Sequence, residues 1–183
     1  AVQARQSLGE TEWLLQLSRA YPWIKGVVGW LPLAEQGAGI GRLLAQFVPH
    51  ARFKGVRHVL QAAPDAYFAD PGFNDALGEV ARAGLTYDLL IVARQLPAAL
   101  EWVDRHPALR IVLDHIAKPV VAGAPSPEWR RHLRELARSV DQRHDDLSPP
   151  TLPLRHRGLH HRPADPVPLG DEHRVEPSRR QPL

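Results

Sequence analysis

Three titratable side chains fall within five residues in Asp114-His115-Ile116-Ala117-Lys118. They follow the apolar run Arg110-Ile-Val-Leu113, and burying charge beside such a run is costly unless the groups act together. A carboxylate, an imidazole and an ammonium can between them take up a proton, polarise a carbonyl and hold an anion. A second grouping sets Arg57 beside His58 in Gly55-Val-Arg-His-Val59. Neighbouring strand residues point to opposite faces, so only one of the two can look into a site unless the strand has already ended. Arg57 turned inward would suit an anionic or hydroxylated substrate through its fork of donors. A salt bridge at a rim is the plainer alternative, and a lone histidine such as His58 is commonly a structural hydrogen-bonder. Trp30, Tyr87 and Asp88 complete the set of polar or amphipathic groups near the ends of apolar segments.

These groups need elements to position them. Ser7-Leu-Gly-Glu10 has capping-box spacing and predicts a helix running to about Ala20. Ile24 to Leu31 reads as a strand bounded by Pro22 and Pro32, and Gly39 to Val48 as a weaker helix. Phe53 to Leu60 is the next strand, followed by a helix from Pro71 to Ala83 with Gly84 past its end. Thr86 to Val92 and Arg110 to Ile116 are near-continuous apolar strands. Helices are predicted over Leu96 to Arg105 and Pro127 to Arg138. Strands separated by helical crossovers are parallel, and strands buried on both faces are continuous rather than alternating in hydrophobicity. No Gly-x-Gly-x-x-Gly loop follows any strand, and Gly37-Ala-Gly-Ile-Gly41 lacks the full spacing and a phosphate lysine. A closed parallel barrel is therefore favoured over a nucleotide-binding sheet.

Composition narrows the class. The chain has 183 residues, 44% of them hydrophobic, a net charge of +3 and no cysteine. That fits a globular protein without disulfides or thiolate metal sites, and a cytoplasmic setting is expected. No apolar run reaches the roughly 20 residues of a membrane span. The basic residues before position 140 alternate with acids along helix faces, so no nucleic-acid partner is expected. From Asp141 the character changes: Pro149, Pro150, Pro153, Pro163, Pro166 and Pro168 crowd a segment with no Phe, Trp, Tyr or Ile. The expected division is an incomplete barrel over 1–140 and a Pro/Arg/His-rich, non-native and disordered tail over 141–183, translated out of frame.

Val27-Val-Gly-Trp30, Lys54-Gly-Val-Arg-His58, Leu85-Thr-Tyr-Asp-Leu-Leu90 and Val112-Leu-Asp-His-Ile-Ala-Lys-Pro119 occur in this order. Together they resemble the lactonase-type branch of the amidohydrolase superfamily, which includes sugar-lactone and 2-pyrone-4,6-dicarboxylate lactonases. The resemblance runs from about Val2 to Arg138 and implies an α/β fold, a partial TIM-like (β/α)₈ barrel comprising about strands 2 to 6. It implies hydrolysis of a small-molecule lactone or carboxylate ester by water attack on the carbonyl. His115 matches the histidine that polarises that carbonyl. Arg57, His58, Tyr87, Trp30 and Lys118 are the implied substrate-binding residues, and Val2-Gln3-Ala4 looks like the end of the second strand. No metal ligand is assigned; a divalent ion such as zinc is compatible with the family but not expected to be essential. The family's His-x-His pair and its general-base aspartate have no match here, and Pro32 replaces the usual acid after Trp30. Impaired activity is therefore expected, and an inactive fragment or a non-enzymatic α/β interaction module is the competing reading. The residues leave the particular lactone and the oligomeric state open.

Overall fold

The computed structural model describes residues 1–120 and 122–147. The expected tail lies almost wholly outside them. Strands β1 (Val27–Gly29), β2 (Phe53–Val59), β3 (Thr86–Leu90) and β4 (Arg110–Leu113) form one parallel sheet in the order β1-β2-β3-β4. Val2 adds a parallel bridge to Val28 on the free side of β1, so the chain from its second residue extends the same sheet. Helices α1 (Leu8–Ala20), α2 (Leu33–Gln36), α3 (Ile40–Phe47), α4 (Pro71–Arg82), α5 (Leu96–Asp104) and α6 (Pro127–Leu147) follow the strands. The capping serine works as read: Ser7 accepts from the Glu10 amide. Asp70 does the same for α4, accepting from the Phe73 amide at 2.7 Å in front of Pro71. Among the described residues no helix is long and apolar enough to cross a membrane.

One face of the sheet is covered by these helices. Tyr87 of β3 packs edge-on against Phe73 of α4 and Trp102 of α5, at ring separations of 5.9 and 5.8 Å. Val56, Tyr87 and Ile111 are register partners, so they share that covered face; Arg57, Asp88 and Val112 share the opposite, open one. A bulge sets this parity. Val27 pairs with Phe53 but Val28 pairs with Gly55, so one step on β1 spans two on β2. Phe53 can therefore pack on Phe47 of α3 while Val56, three residues on, points the same way. Gly55 permits the tight pairing that results, because a Cβ there would lie 2.2 Å from the Thr86 hydroxyl oxygen.

The structure differs from the sequence expectation at several ends. β1 keeps only Val27–Gly29 of the expected Ile24 to Leu31, and β3 stops at Leu90 rather than Val92. β4 stops at Leu113 rather than Ile116, since His115, Ile116, Ala117 and Lys118 all have positive φ and wind a left-handed turn. Its Val112 is 48% exposed, so this edge strand is not buried on both faces. Helix α6 runs on to Leu147, past Arg138, because no proline interrupts the chain until Pro149.

Candidate functional site

The open face carries few charges, and they meet at the carboxyl ends of the strands. Arg57 of β2 donates from Nη1 to Asp114 Oδ2 at 2.7 Å, reaching across β3. Its Nη2 donates to the carbonyl oxygen of Gln3, and the Gln3 side-chain amide returns a bond to the Arg57 carbonyl at 3.3 Å. The guanidinium thus ties together residues from alternate strands, counting the Val2 bridge as a strand. Arg57 and Asp114 side chains are only 13% and 15% exposed, so water screens the pair far less than it would a pair at a rim. The Nε–H of Arg57 is buried and makes no hydrogen bond to any described residue.

Asp88 sits between these partners in the register, opposite Arg57 and Val112, and is 6% exposed. Burial, with the Asp114 charge in second place, pushes its carboxyl up to about 6 from 3.8, while Arg57 pulls it partly back. A folded-state proton held more tightly than in the unfolded chain makes stability fall as pH rises from about 4 to about 6. Asp88→Asn is therefore expected to flatten that slope and to stabilise the fold at pH 7 by up to about 3 kcal/mol. Urea denaturation at pH 4, 5, 6 and 7 checks this; equal pH slopes for parent and variant would remove Asp88 from the buried cluster.

The turn after β4 brings the remaining sequence candidates to the same end. The His115 side chain is exposed and stands one residue beyond Asp114. Lys118 donates to Gln61 Oε1 at 2.7 Å, joining the loop after β4 to the loop after β2. Trp129 of α6 donates its indole N–H to the Ile116 carbonyl at 2.9 Å, which pins a turn that four non-glycine residues adopt at a cost.

Trp30 and His58 form a separate cluster with Tyr67, which lies on the turn Asp65–Ala69 after β2. The Trp30 indole donates to His58 Nδ1 at 3.1 Å, and the His58 and Tyr67 rings stack with centroids 5.5 Å apart. Burial pulls the His58 imidazole below its usual range, against the opposing charge of Glu35. Tyr87 does not join either group. Its ring is wholly buried on the covered face, and burial pushes its hydroxyl far up. Of the residues expected to bind substrate, the structure pairs Arg57 with Asp114 and Lys118 with Gln61 at the strand ends near the turn that carries His115, sets Trp30 and His58 in a separate cluster with Tyr67, and leaves Tyr87 in the helix layer.

Sequence reasoning named Asp88 among the polar groups near the strand ends but gave it no role, and it passed over Tyr67. Asp88 is the lone charge in an otherwise apolar strand, and that isolation was its signal. Tyr67 had none, since Pro64-Asp-Ala-Tyr-Phe-Ala69 has no periodic pattern. Among the described residues no group of three or more His, Asp or Glu side chains has the geometry to hold a metal ion. Asp88 and Asp114 converge on the Arg57 cation, an arrangement that does not fit a divalent ion between them.

A family model for amidohydrolases matches residues 1–143. Among curated proteins, the chain is 34% identical over 137 residues to an L-fucono-1,5-lactonase of Burkholderia ambifaria, covering 74% of this chain and 47% of that protein. It is 35% identical over 144 residues to an L-fucono-1,5-lactonase of Burkholderia multivorans, covering 75% and 48%. A crystal structure of an amidohydrolase from Burkholderia multivorans with bound zinc superposes with a TM-score of 0.66 at 36% identity, over 75% of this chain and 49% of that one. The chain spans about half the length of the curated relatives it matches.

Proposed function

The chain belongs to the amidohydrolase family, and on that premise we propose that it serves the hydrolysis of a sugar-acid lactone of the 1,5-lactone type. In this reading the sheet is about strands 2 to 6 of a (β/α)₈ barrel, and its open face looks toward the barrel axis. The crossing of Arg57 over β3 to Asp114, with Gln3 on its other side, supports this, because barrel interiors are filled in layers by residues of alternate strands. Catalytic groups of such barrels gather at the carboxyl ends of the strands, where Asp114, His115 and Lys118 follow β4 and Arg57 nears the end of β2, while Asp88 sits mid-strand in register with Arg57. The names of the relatives favour a sugar lactone over a pyrone dicarboxylate.

The single observation that carries the reading is the buried Arg57–Asp114 pair beside Asp88 at that end of the sheet. The pairing holds the guanidinium fork rigid before substrate arrives. In the reaction a water oxygen bonds to the lactone carbonyl carbon and the ring C–O bond breaks; one proton of that water passes to the ring oxygen, which leaves as a hydroxyl, and the other is released to solvent as the product acid ionises. His115 stabilises the negative charge that develops on the carbonyl oxygen. Lys118 and Arg57 hold the hydroxyl groups or the carboxylate of the product.

The test is turnover of L-fucono-1,5-lactone and related sugar lactones, followed with a pH indicator and corrected for spontaneous hydrolysis. His115→Ala is expected to lower the enzymatic rate at least tenfold. Equal rates in parent and variant would take His115 out of the site, and no rate above the spontaneous one would end the lactonase reading. The exposed apolar edge at Val112, Ile116 and Val120 favours a second reading, an α/β module that recruits a partner along β4. Stoichiometric capture of a partner by a chain without turnover would select it.

A further inference from the structure

The geometry points to Tyr67 as a substrate-binding residue whose hydroxyl is held as a hydrogen-bond donor by a one-way chain from Trp30 through His58. An indole N–H can only donate, so the 3.1 Å bond from Trp30 Nε1 requires an unprotonated Nδ1 on His58. A neutral imidazole with a bare Nδ1 carries its proton on Nε2. That nitrogen lies 3.4 Å from the Tyr67 hydroxyl oxygen, which must accept from it. The phenol's own proton is then left to donate elsewhere, and no acceptor for it stands among the described residues. Direction is fixed at the first link by chemistry alone.

Position agrees with direction. Trp30 directly follows β1, His58 is in the last turn of the pleat of β2, and Tyr67 is on the turn that follows β2. All three are at the carboxyl ends of the strands, the end that carries Arg57 and Asp114. The Tyr67 ring is clamped between His58, stacked at 5.5 Å, and Phe73 at 5.0 Å. Its turn is fastened at both ends, by an Arg94–Asp65 ion pair of 2.8 Å and by Asn74 donating to the Phe68 carbonyl at 3.1 Å. Burial and the charges of Glu35 and Asp70 push the phenol up to about 12, so it keeps its proton at any ordinary pH. A fixed, neutral donor is matched to an uncharged oxygen, as in the hydroxyl or ring oxygen of a sugar lactone, rather than to a second carboxylate. The assignment rests on the lactonase reading above and adds a binding residue to it.

Two measurements on the full chain decide it. Nitrogen-15 NMR of histidine-labelled protein should find His58 neutral, with its proton on Nε2, and Trp30→Phe should raise its titration midpoint by freeing Nδ1. Calorimetric titration with L-fuconate, the product acid of L-fucono-1,5-lactone hydrolysis, should give a Kd about two- to tenfold weaker in Tyr67→Phe than in the parent, the effect of one neutral hydrogen bond. A proton on Nδ1, or L-fuconate bound equally by parent and Tyr67→Phe, would overturn the inference while leaving the lactonase reading in place. A parent chain that neither binds L-fuconate nor turns over the lactone would remove both.

Discussion

Arg57→Met is expected to destabilise the fold by about 3–5 kcal/mol at pH 7, the usual cost of removing one partner from a buried ion pair. Methionine keeps most of the side-chain volume, so the loss would report charge and hydrogen bonds rather than a cavity. Asp114 would be left at 15% exposure and Asp88 at 6%, two carboxylates facing one another without a cation. Both would then resist ionisation in the folded state, and the variant would hold protons that the unfolded chain releases. Its deficit should therefore be smallest at acid pH and grow as pH rises, the sign that a raised carboxyl pKa demands. The Gln3 carbonyl also loses its guanidinium partner, so the edge at Val2 should loosen with it. Adding Asp114→Leu should recover a large part of the loss, because the remaining charge is then alone. Urea denaturation of the single and double variants at pH 5 and pH 7 measures all of this. A deficit under about 1 kcal/mol, independent of pH, would identify a solvated surface pair and would weaken the lactonase reading with it.

Much of this cluster is legible in the sequence, and the limits have physical causes. The β/α alternation follows from apolar runs such as Leu89-Leu-Ile-Val92 joined by capped helices, and the parallel sheet bears it out. Strand alternation requires Arg57 and His58 to part company but cannot say which one faces the helices. The answer depends on the bulge at Phe53–Gly55, a tertiary accommodation with no pattern in the string. The same parity sends Tyr87 into the helix layer and turns Asp88 toward Arg57, reversing the weight that the two receive when read locally. The left-handed turn at His115 to Lys118 is hidden for a different reason. β-Branched Ile116 prefers extended backbone, so local preference argues for continuing the strand, and only anchors such as the Trp129 indole hold it otherwise.

The site also depends on a residue that never approaches it. Trp102→Ala is expected to cost about 3–5 kcal/mol, the range for deleting a large buried aromatic side chain. Trp102 is wholly buried, stacks on Phe73 at 6.0 Å, meets Tyr87 edgewise and Phe68 at a tilt, and donates from its indole to Asn74 Oδ1 at 3.0 Å. Asn74 in turn donates to the carbonyls of Phe68 and Asp70, which carry the turn that holds Tyr67. Phe73 touches both His58 and Tyr67 on its other side. Removing the indole should thus lower stability and also free the Tyr67 turn. Trp102→Phe separates the two effects: it keeps most of the packing but not the bond to Asn74, leaving a buried amide oxygen without its donor at a cost of about 1–3 kcal/mol. Hydrogen exchange should then show the amides of Tyr67 and Asp70, bonded to the Pro64 and Tyr67 carbonyls, opening faster in Trp102→Phe while those of β3 stay protected. Uniform loss of protection across both would mean that Trp102 supports the core as a whole and has no particular hold on the loop that presents Tyr67.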